Sequence, residues 1–177
     1  MRQVQFYGAI SLDGYLATKE NNMQRLFDTA GGESANTAEF MAQIDTTIMG
    51  RKTYAITKKL MNNAPLFPDK TNYVLSRTRQ GQESDAIYSQ ESPVTLVKKL
   101  RQTAGENIWI VGGGQIVADL VAADLIDAWW IQIAPVLLGD GIRLFPKGDY
   151  GTRLDVVAVK QYDQLMELQL RRKTGRK

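Results

Sequence analysis

Three stretches of the sequence bring phosphate-competent groups to places where a strand-like run gives way to a helix or a turn. Ile108-Trp109-Ile110-Val111 is a continuous apolar run that passes through Gly112-Gly113-Gly114 into a helical stretch from Gln115 to Ala123. Glycines lack a Cβ and let a diphosphate approach the backbone closely. A helix start also offers unpaired N–H groups at the positive end of its dipole. Gly50-Arg51-Lys52-Thr53 follows the β-branched run Thr46-Thr47-Ile48-Met49 and adds a cationic fork and a hydroxyl. That set suits a phosphate monoester. Ser76-Arg77-Thr78 ends the run Asn72-Tyr73-Val74-Leu75-Ser76 in the same manner. Singly, each is equally a tight turn or a solvated helix start. If the three strands are parallel neighbours, however, their turns line one edge, and a dinucleotide bearing an additional phosphate would use all three.

What is missing narrows the chemistry further. The 177 residues include no Cys and no His. Thiol and imidazole nucleophiles, a Ser-His-Asp triad and a zinc site of the usual ligands are thereby excluded, and no metal site is expected. Chemistry must come from carboxylates, hydroxyls, Lys or Arg, the backbone, or a borrowed cofactor.

The elements that would hold these turns alternate strand and helix for three quarters of the chain. Val4 to Ile10 reads as a central strand ending at the turn Asp13-Gly14, and Thr18 to Gly32 as a long polar loop. Ala35 to Ile44 has helical spacing with Ser34 as its N-cap, and Arg51 to Met61 is a second helix. Ala86-Ile87-Tyr88 is a weak strand. Ser92-Pro93 opens a helix that Gly105 stops, and Ala128 to Ala134 is a strand. After the glycine-rich connection from Pro135 to Gly151, Leu154–Val159 and Leu165–Leu170 pair as a hairpin around Tyr162-Asp163. This order predicts an α/β fold, a mostly parallel mixed sheet with helices on its faces and an antiparallel C-terminal edge. One domain is expected over residues 1–170.

The net charge is +3, yet the last seven residues alone carry five positive charges, so the rest of the chain is slightly acidic. Residues 171–177 are expected to form a basic, frayed tail rather than a nucleic-acid-binding arm. The apolar region from Ile108 to Leu138 is broken by Asp119, Asp124 and Asp127 and is not read as a membrane span. Met1-Arg2-Gln3 leads directly into a strand, so no signal peptide is expected, and the cytoplasm is the expected compartment.

Five motifs occur in one order: Phe6-x-x-Ala9-x-Ser11-Leu12-Asp13-Gly14, Ile48-Met49-Gly50-Arg51-x-Thr53-Tyr54, Tyr73-Val74-Leu75-Ser76-Arg77, Val111-Gly112-Gly113-Gly114, and Pro135-Val136-Leu137-Leu138-Gly139-x-Gly141-x-x-Leu144-Phe145. Together they resemble the dihydrofolate reductase-like superfamily. The nearer likeness is to the C-terminal reductase domain of the bifunctional riboflavin-biosynthesis deaminase-reductase and its stand-alone bacterial relatives, from Val4 to about Leu170. The resemblance implies a three-layer α/β/α fold with about eight strands, and NADPH laid across the strand ends. By motif position Gly50, Arg51 and Thr53 would face the 2′-phosphate side, with Leu75, Ser76 and Arg77 beside the adenine ribose. Val111, Gly112, Gly113, Gly114, Gln115 and Ile116 would hold the pyrophosphate, with Ala9 and Leu16 against the nicotinamide. It also implies a cis peptide at Gly112-Gly113, a homodimer joined through the C-terminal strands, and hydride transfer to a small pyrimidine- or pterin-like substrate, with a reductase of another small imine or carbonyl, or a non-catalytic NADP-binding protein, as the alternatives.

The sequence departs from its relatives on the substrate side. Dihydrofolate reductases carry a carboxylate on the helix before the Met-Gly-Arg strand, and ungapped alignment through Gly50 puts Ser34 there. Glu33 is adjacent. Asp13 matches a family position but is equally a turn former. Asp13 and Glu33 are therefore the candidate catalytic carboxylates. Trp109, Trp129 and Trp130 are expected in the core or at an interface, one ring of the Trp129-Trp130 pair facing a partner.

Overall fold

The structure, a computed structural model, describes residues 1–35 and 37–173. Nine strands form one sheet in the order β10-β11-β8-β1-β7-β3-β4-β6-β5, and two short strands form a second, β2-β9. The strands are β1 (Val4–Ser11), β2 (Tyr15–Ala17), β3 (Ile44–Gly50), β4 (Thr71–Leu75), β5 (Gly81–Glu83), β6 (Ala86–Ser89), β7 (Asn107–Gly112), β8 (Ala128–Ala134), β9 (Ile142–Arg143), β10 (Leu154–Tyr162) and β11 (Leu165–Arg172). The helices are α1 (Gln24–Phe27), α2 (Thr37–Met41), α3 (Arg51–Leu60), α4 (Pro93–Leu100) and α5 (Gly114–Ala122), with a 3-10 turn at Gly32–Ser34. From β8 through β1, β7, β3 and β4 to β6 the pairings are parallel, while β11 joins β8, and β10 joins β11, antiparallel. The mixed sheet with an antiparallel C-terminal edge matches the expectation.

Alternation along the central strands divides the core between two faces. Val4, Phe6 and Ile10 of β1 and Ile108 and Ile110 of β7 pack with Leu96, Val97 and Leu100 of α4 and Val117 and Leu120 of α5. On the opposite face Phe40 of α2 meets Trp109 and Trp130, and Tyr54 of α3 packs against Met49, Val74 and Tyr88. Helices thus cover both sides.

Four expectations need correction. The helix from Ala35 to Ile44 shrinks to α2, because Ile44 is drawn into β3 by pairing with Asn107, and Ser34 lies in the 3-10 turn instead of capping it. Arg171 and Arg172 belong to β11 and are not a frayed tail; the Arg172 guanidinium reaches Asp124 and Asp127 at 3.1 and 3.2 Å, and residues 174–177 lie outside the described part. Neither ring of Trp129-Trp130 faces outward: Trp129 tilts against Phe6 and Phe145, and Trp130 meets Phe40. The loops from Thr18 to Gly32 and Pro135 to Gly151 also contain α1 and β9, elements too short to show a period.

Candidate functional site

Register answers whether the three turns share an edge. Gly50 of β3 pairs with Leu75 of β4, and Met49 pairs with Gly112 of β7. With β7, β3 and β4 parallel and adjacent, Gly112-Gly113, Arg51 and Ser76-Arg77 leave the sheet side by side at its carboxyl end. A Cβ placed on Gly113 would sit 3.7 Å from Thr53 Oγ1, and one on Gly50 would sit 3.5 Å from Ile116 Cδ1, so the first two turns touch.

Local geometry leaves this edge rich in donors. The Gly112-Gly113 peptide is cis. Gly113 and Gly50 are the N-caps of α5 and α3, and neither helix has a side-chain cap. By contrast Ser92 caps α4, accepting a hydrogen bond from the Thr95 N–H at 3.1 Å. The first N–H groups of α3 and α5 therefore keep their capacity for an outside acceptor. Gly114 is required for another reason: an added Cβ would collide with the carbonyl oxygen of Arg143. That contact seats the Pro135–Phe145 motif against the glycine turn.

Arg51 and Arg77 are exposed, and no salt bridge engages either guanidinium among the described residues. Ser76 is nearly buried, and its hydroxyl accepts from the Thr78 and Arg79 N–H groups at 3.3 and 3.2 Å, which shapes the loop while leaving its proton to donate. Leu75, Leu16 and Ile116 are half-buried against the main core, and Val111 against the smaller clusters on the α2 and α3 side. Ala9 is half-buried beside Leu26, Ala134 and Leu165.

The two candidate catalytic carboxylates fare differently. Asp13 accepts from Ser11 Oγ at 2.6 Å, from the Gly139 N–H at 2.7 Å and from the Leu138 N–H at 3.1 Å. The Ser11 hydroxyl and the two backbone donors hold its carboxyl down to about 2. Accepting on both oxygens, Asp13 clasps the β1-β2 turn to the Pro135–Phe145 motif. Arg143 completes this clasp, lying 4.5 Å over the Tyr15 ring and donating to its hydroxyl at 2.8 Å. Glu33 is exposed in the 3-10 turn, away from any described partner.

A polar network that the sequence reading missed lies beside Ala9. Ala9 pairs with Gln132 of β8, Gln132 with Glu167 of β11, and Glu167 with Lys160 of β10, so the four form one row across the sheet. Glu167 is fully buried, and Gln132 is 8% exposed. Gln132 Nε2 reaches Glu167 Oε2 at 3.3 Å and Tyr7 Oη at 2.9 Å, and Tyr7 Oη lies 2.8 Å from Thr37 Oγ1 at the start of α2. Burial first, then the nearby Glu167 charge, raises the Tyr7 hydroxyl above its ordinary range despite bonds to Thr37 and Gln132 that pull it down. The available signal was polar residues inside two apolar strands, Gln132 in Ala128–Ala134 and Glu167 and Gln169 in Leu165–Leu170.

Two cavities lie elsewhere. One of about 290 Å³ is lined by Val121, Trp129, Phe145 and Tyr150, and one of about 470 Å³ by Arg2, Gln5, Trp130 and Arg171. No described helix is long and apolar enough to cross a membrane.

Comparison with known proteins accords with this arrangement. The uncharacterized protein YwjB of Bacillus subtilis (strain 168) is 35% identical over 170 residues, covering 94% of this chain and 96% of that one. A crystal structure of a protein from Shewanella sp. PV-4, provisionally assigned to riboflavin biosynthesis, superposes with a TM-score of 0.83 at 26% identity over 97% of this chain and 99% of that one. The diaminohydroxyphosphoribosylaminopyrimidine deaminase/5-amino-6-(5-phosphoribosylamino)uracil reductase of Thermotoga maritima gives 0.72 at 15% identity, over 97% of this chain and 57% of that longer one. Dihydrofolate reductase from Enterococcus faecalis, complexed with NADP(H), gives 0.66 at 18% identity over 97% of both chains, a likeness of fold. Residues 2–168 match the RibD C-terminal domain, and the chain belongs to that family, with a dihydrofolate reductase-like fold.

Proposed function

We propose that the protein is an NADPH-dependent reductase acting on a small pyrimidine- or pterin-like metabolite, similar to 5-amino-6-(5-phosphoribosylamino)uracil reductase. One observation carries the reading: two helix starts without side-chain caps, and two guanidiniums with no salt bridge among the described residues, stand together at the carboxyl ends of adjacent parallel strands. These residues fit the cofactor. Arg51 and Thr53 would hold the 2′-phosphate, Ser76 and Arg77 the adenine ribose, and the backbone from Gly113 to Ile116 the pyrophosphate. Ala9 and Leu16 would flank the nicotinamide, which supplies a hydride from C4 when the cofactor is bound. The chain's own part is to align the substrate, exclude water and deliver a proton to the developing anion.

The test is fluorescence titration with NADPH and NADH, followed by NADPH-oxidation assays with the phosphoribosylaminouracil and with dihydrofolate. Tighter binding of NADPH than NADH and turnover of the first substrate are expected. Equal affinity for the two nucleotides would defeat the Arg51 assignment. Turnover of dihydrofolate alone would replace the pyrimidine by a pterin.

A second copy of the chain is the proposed partner. Val156 and Val159 of the edge strand β10 are 66% and 65% exposed, and Met166 beside them on β11 is 37% exposed, an apolar strip suited to a two-fold contact. Sedimentation velocity should show a dimer that V156K/V159K dissociates. The proposed compartment is the cytoplasm.

A further inference from the structure

Resting on the reductase reading, we propose that the Tyr7 hydroxyl is the group that donates to the substrate heteroatom beside the nicotinamide, with Gln132 and Glu167 as the positioning pair that fixes its polarity. The argument follows the protons. Glu167 takes Gln132 Nε2 on one carboxyl oxygen and Gln169 Nε2, at 2.9 Å, on the other. Neither amide can turn its carbonyl toward that carboxylate without losing the bond, so Gln132 presents Nε2 to Tyr7 as well. Tyr7 Oη is then an acceptor from Gln132, and its single proton must leave in another direction. Its other hydroxyl neighbour, Thr37 Oγ1 at 2.8 Å, can either accept that proton or donate its own. A substrate carbonyl or imine nitrogen can take its place.

Position agrees with this role. Tyr7 and Ala9 are two residues apart on β1 and share a face, and the Tyr7 hydroxyl reaches the side chain paired with Ala9. The Tyr7 ring is held by stacking on Phe40 at 4.6 Å, and the residue is half-buried. No salt bridge engages Glu167 among the described residues, since Lys160, its cross-strand neighbour, pairs with Glu39 at 3.4 Å. A fully buried carboxyl group held by two amides and no cation is a costly construction, and directing a donor gives it a use. In the reaction the hydride forms a new C–H bond and the π pair moves to the heteroatom. That atom takes the Tyr7 proton, and the phenolate is reprotonated through the Thr37 hydroxyl from solvent.

The experiment compares Y7F, E167Q, the double variant and T37V in the full chain, measuring NADPH affinity by fluorescence and kcat and KM with the phosphoribosylaminouracil. Y7F removes one hydroxyl and should lower kcat about a hundredfold, with KM and NADPH affinity within about threefold of the parent. E167Q should lose about tenfold in kcat, and the double variant should be no worse than Y7F alone, because both act through one hydroxyl. T37V should lose about threefold. Equal losses in Y7F and T37V would mean that Tyr7 only braces α2, and additive losses in the double variant would make Glu167 a structural residue. Either result overturns the proposal while leaving the reductase reading intact. A parent that binds no NADPH, or binds it and reduces neither this substrate nor dihydrofolate, overturns both.

Discussion

The two ends of the parallel strands use arginine in opposite ways. At the amino ends, Arg2 is 7% exposed and bonds Asp45, Thr46 Oγ1 at 2.6 Å, Thr103 Oγ1 at 3.0 Å and the Glu106 carbonyl at 2.6 Å. Arg101 and Arg172 likewise meet Asp127, which also accepts from the Val4 N–H at 2.9 Å. At the carboxyl ends, Arg51 and Arg77 stand without such partners among the described residues, beside helices that have no side-chain cap. On the proposed reading, the difference separates guanidiniums that hold strands in place from guanidiniums left for an incoming anion. Buried charge must be paired where it is structural, whereas a ligand site gains from leaving the pairing to the ligand.

Substitutions at the two ends should therefore split stability from cofactor affinity. Arg2→Ala should cost the most, about 3 kcal/mol of folding stability by urea denaturation, because Asp45 loses its partner. NADPH affinity of the folded fraction should hold; a drop in affinity without a drop in stability would erase the contrast. Arg51→Ala should do the reverse, lowering NADPH affinity about thirtyfold, or about 2 kcal/mol, with NADH binding and the thermal midpoint little changed.

Asp85, which ties α3 to the loop after it, gives a pH test. Burial would raise its carboxyl, but Lys58 at 2.8 Å, the Leu66 N–H and Tyr54 at 2.8 Å outweigh burial and bring it from 3.8 to about 2. A depressed value in the folded chain means its stabilisation is full above pH 3.8 and is lost as pH falls toward 2. Asp85→Asn should remove about 2 kcal/mol at pH 7 and flatten that acid limb of the stability curve. Ser92→Ala is the smallest change, about 1 kcal/mol from the lost cap of α4, with no effect on cofactor.

The edge proposed for the cofactor was legible because its signals are local. Gly50-Arg51, Ser76-Arg77 and Gly112-Gly113-Gly114 each sit where an apolar run ends, and one parallel sheet suffices to align them. The polar network proposed for the substrate side was not, because its parts are far apart in the chain. Tyr7, Thr37, Gln132 and Glu167 meet through strand register alone, and no spacing within one segment reports that Gln132 lies opposite both Ala9 and Glu167. The two acids that the sequence did offer lie apart from this network: Asp13 is hydrogen-bonded to the Pro135–Phe145 motif, and Glu33 is exposed. The short elements escaped for a simpler reason: β2, β5 and β9 span three residues or fewer, too little for alternation to register.

The placement of β8 and β11 has a consequence for synthesis. Every turn of the cofactor edge lies within the first 116 residues, but the face carrying Gln132 and Glu167 needs residues 128–172. As the polypeptide emerges from the ribosome, the half that holds the glycine turns can assemble while β8 still has an open flank awaiting β11. A nascent chain halted short of Leu165 would hold a shaped cradle and an undirected tyrosine.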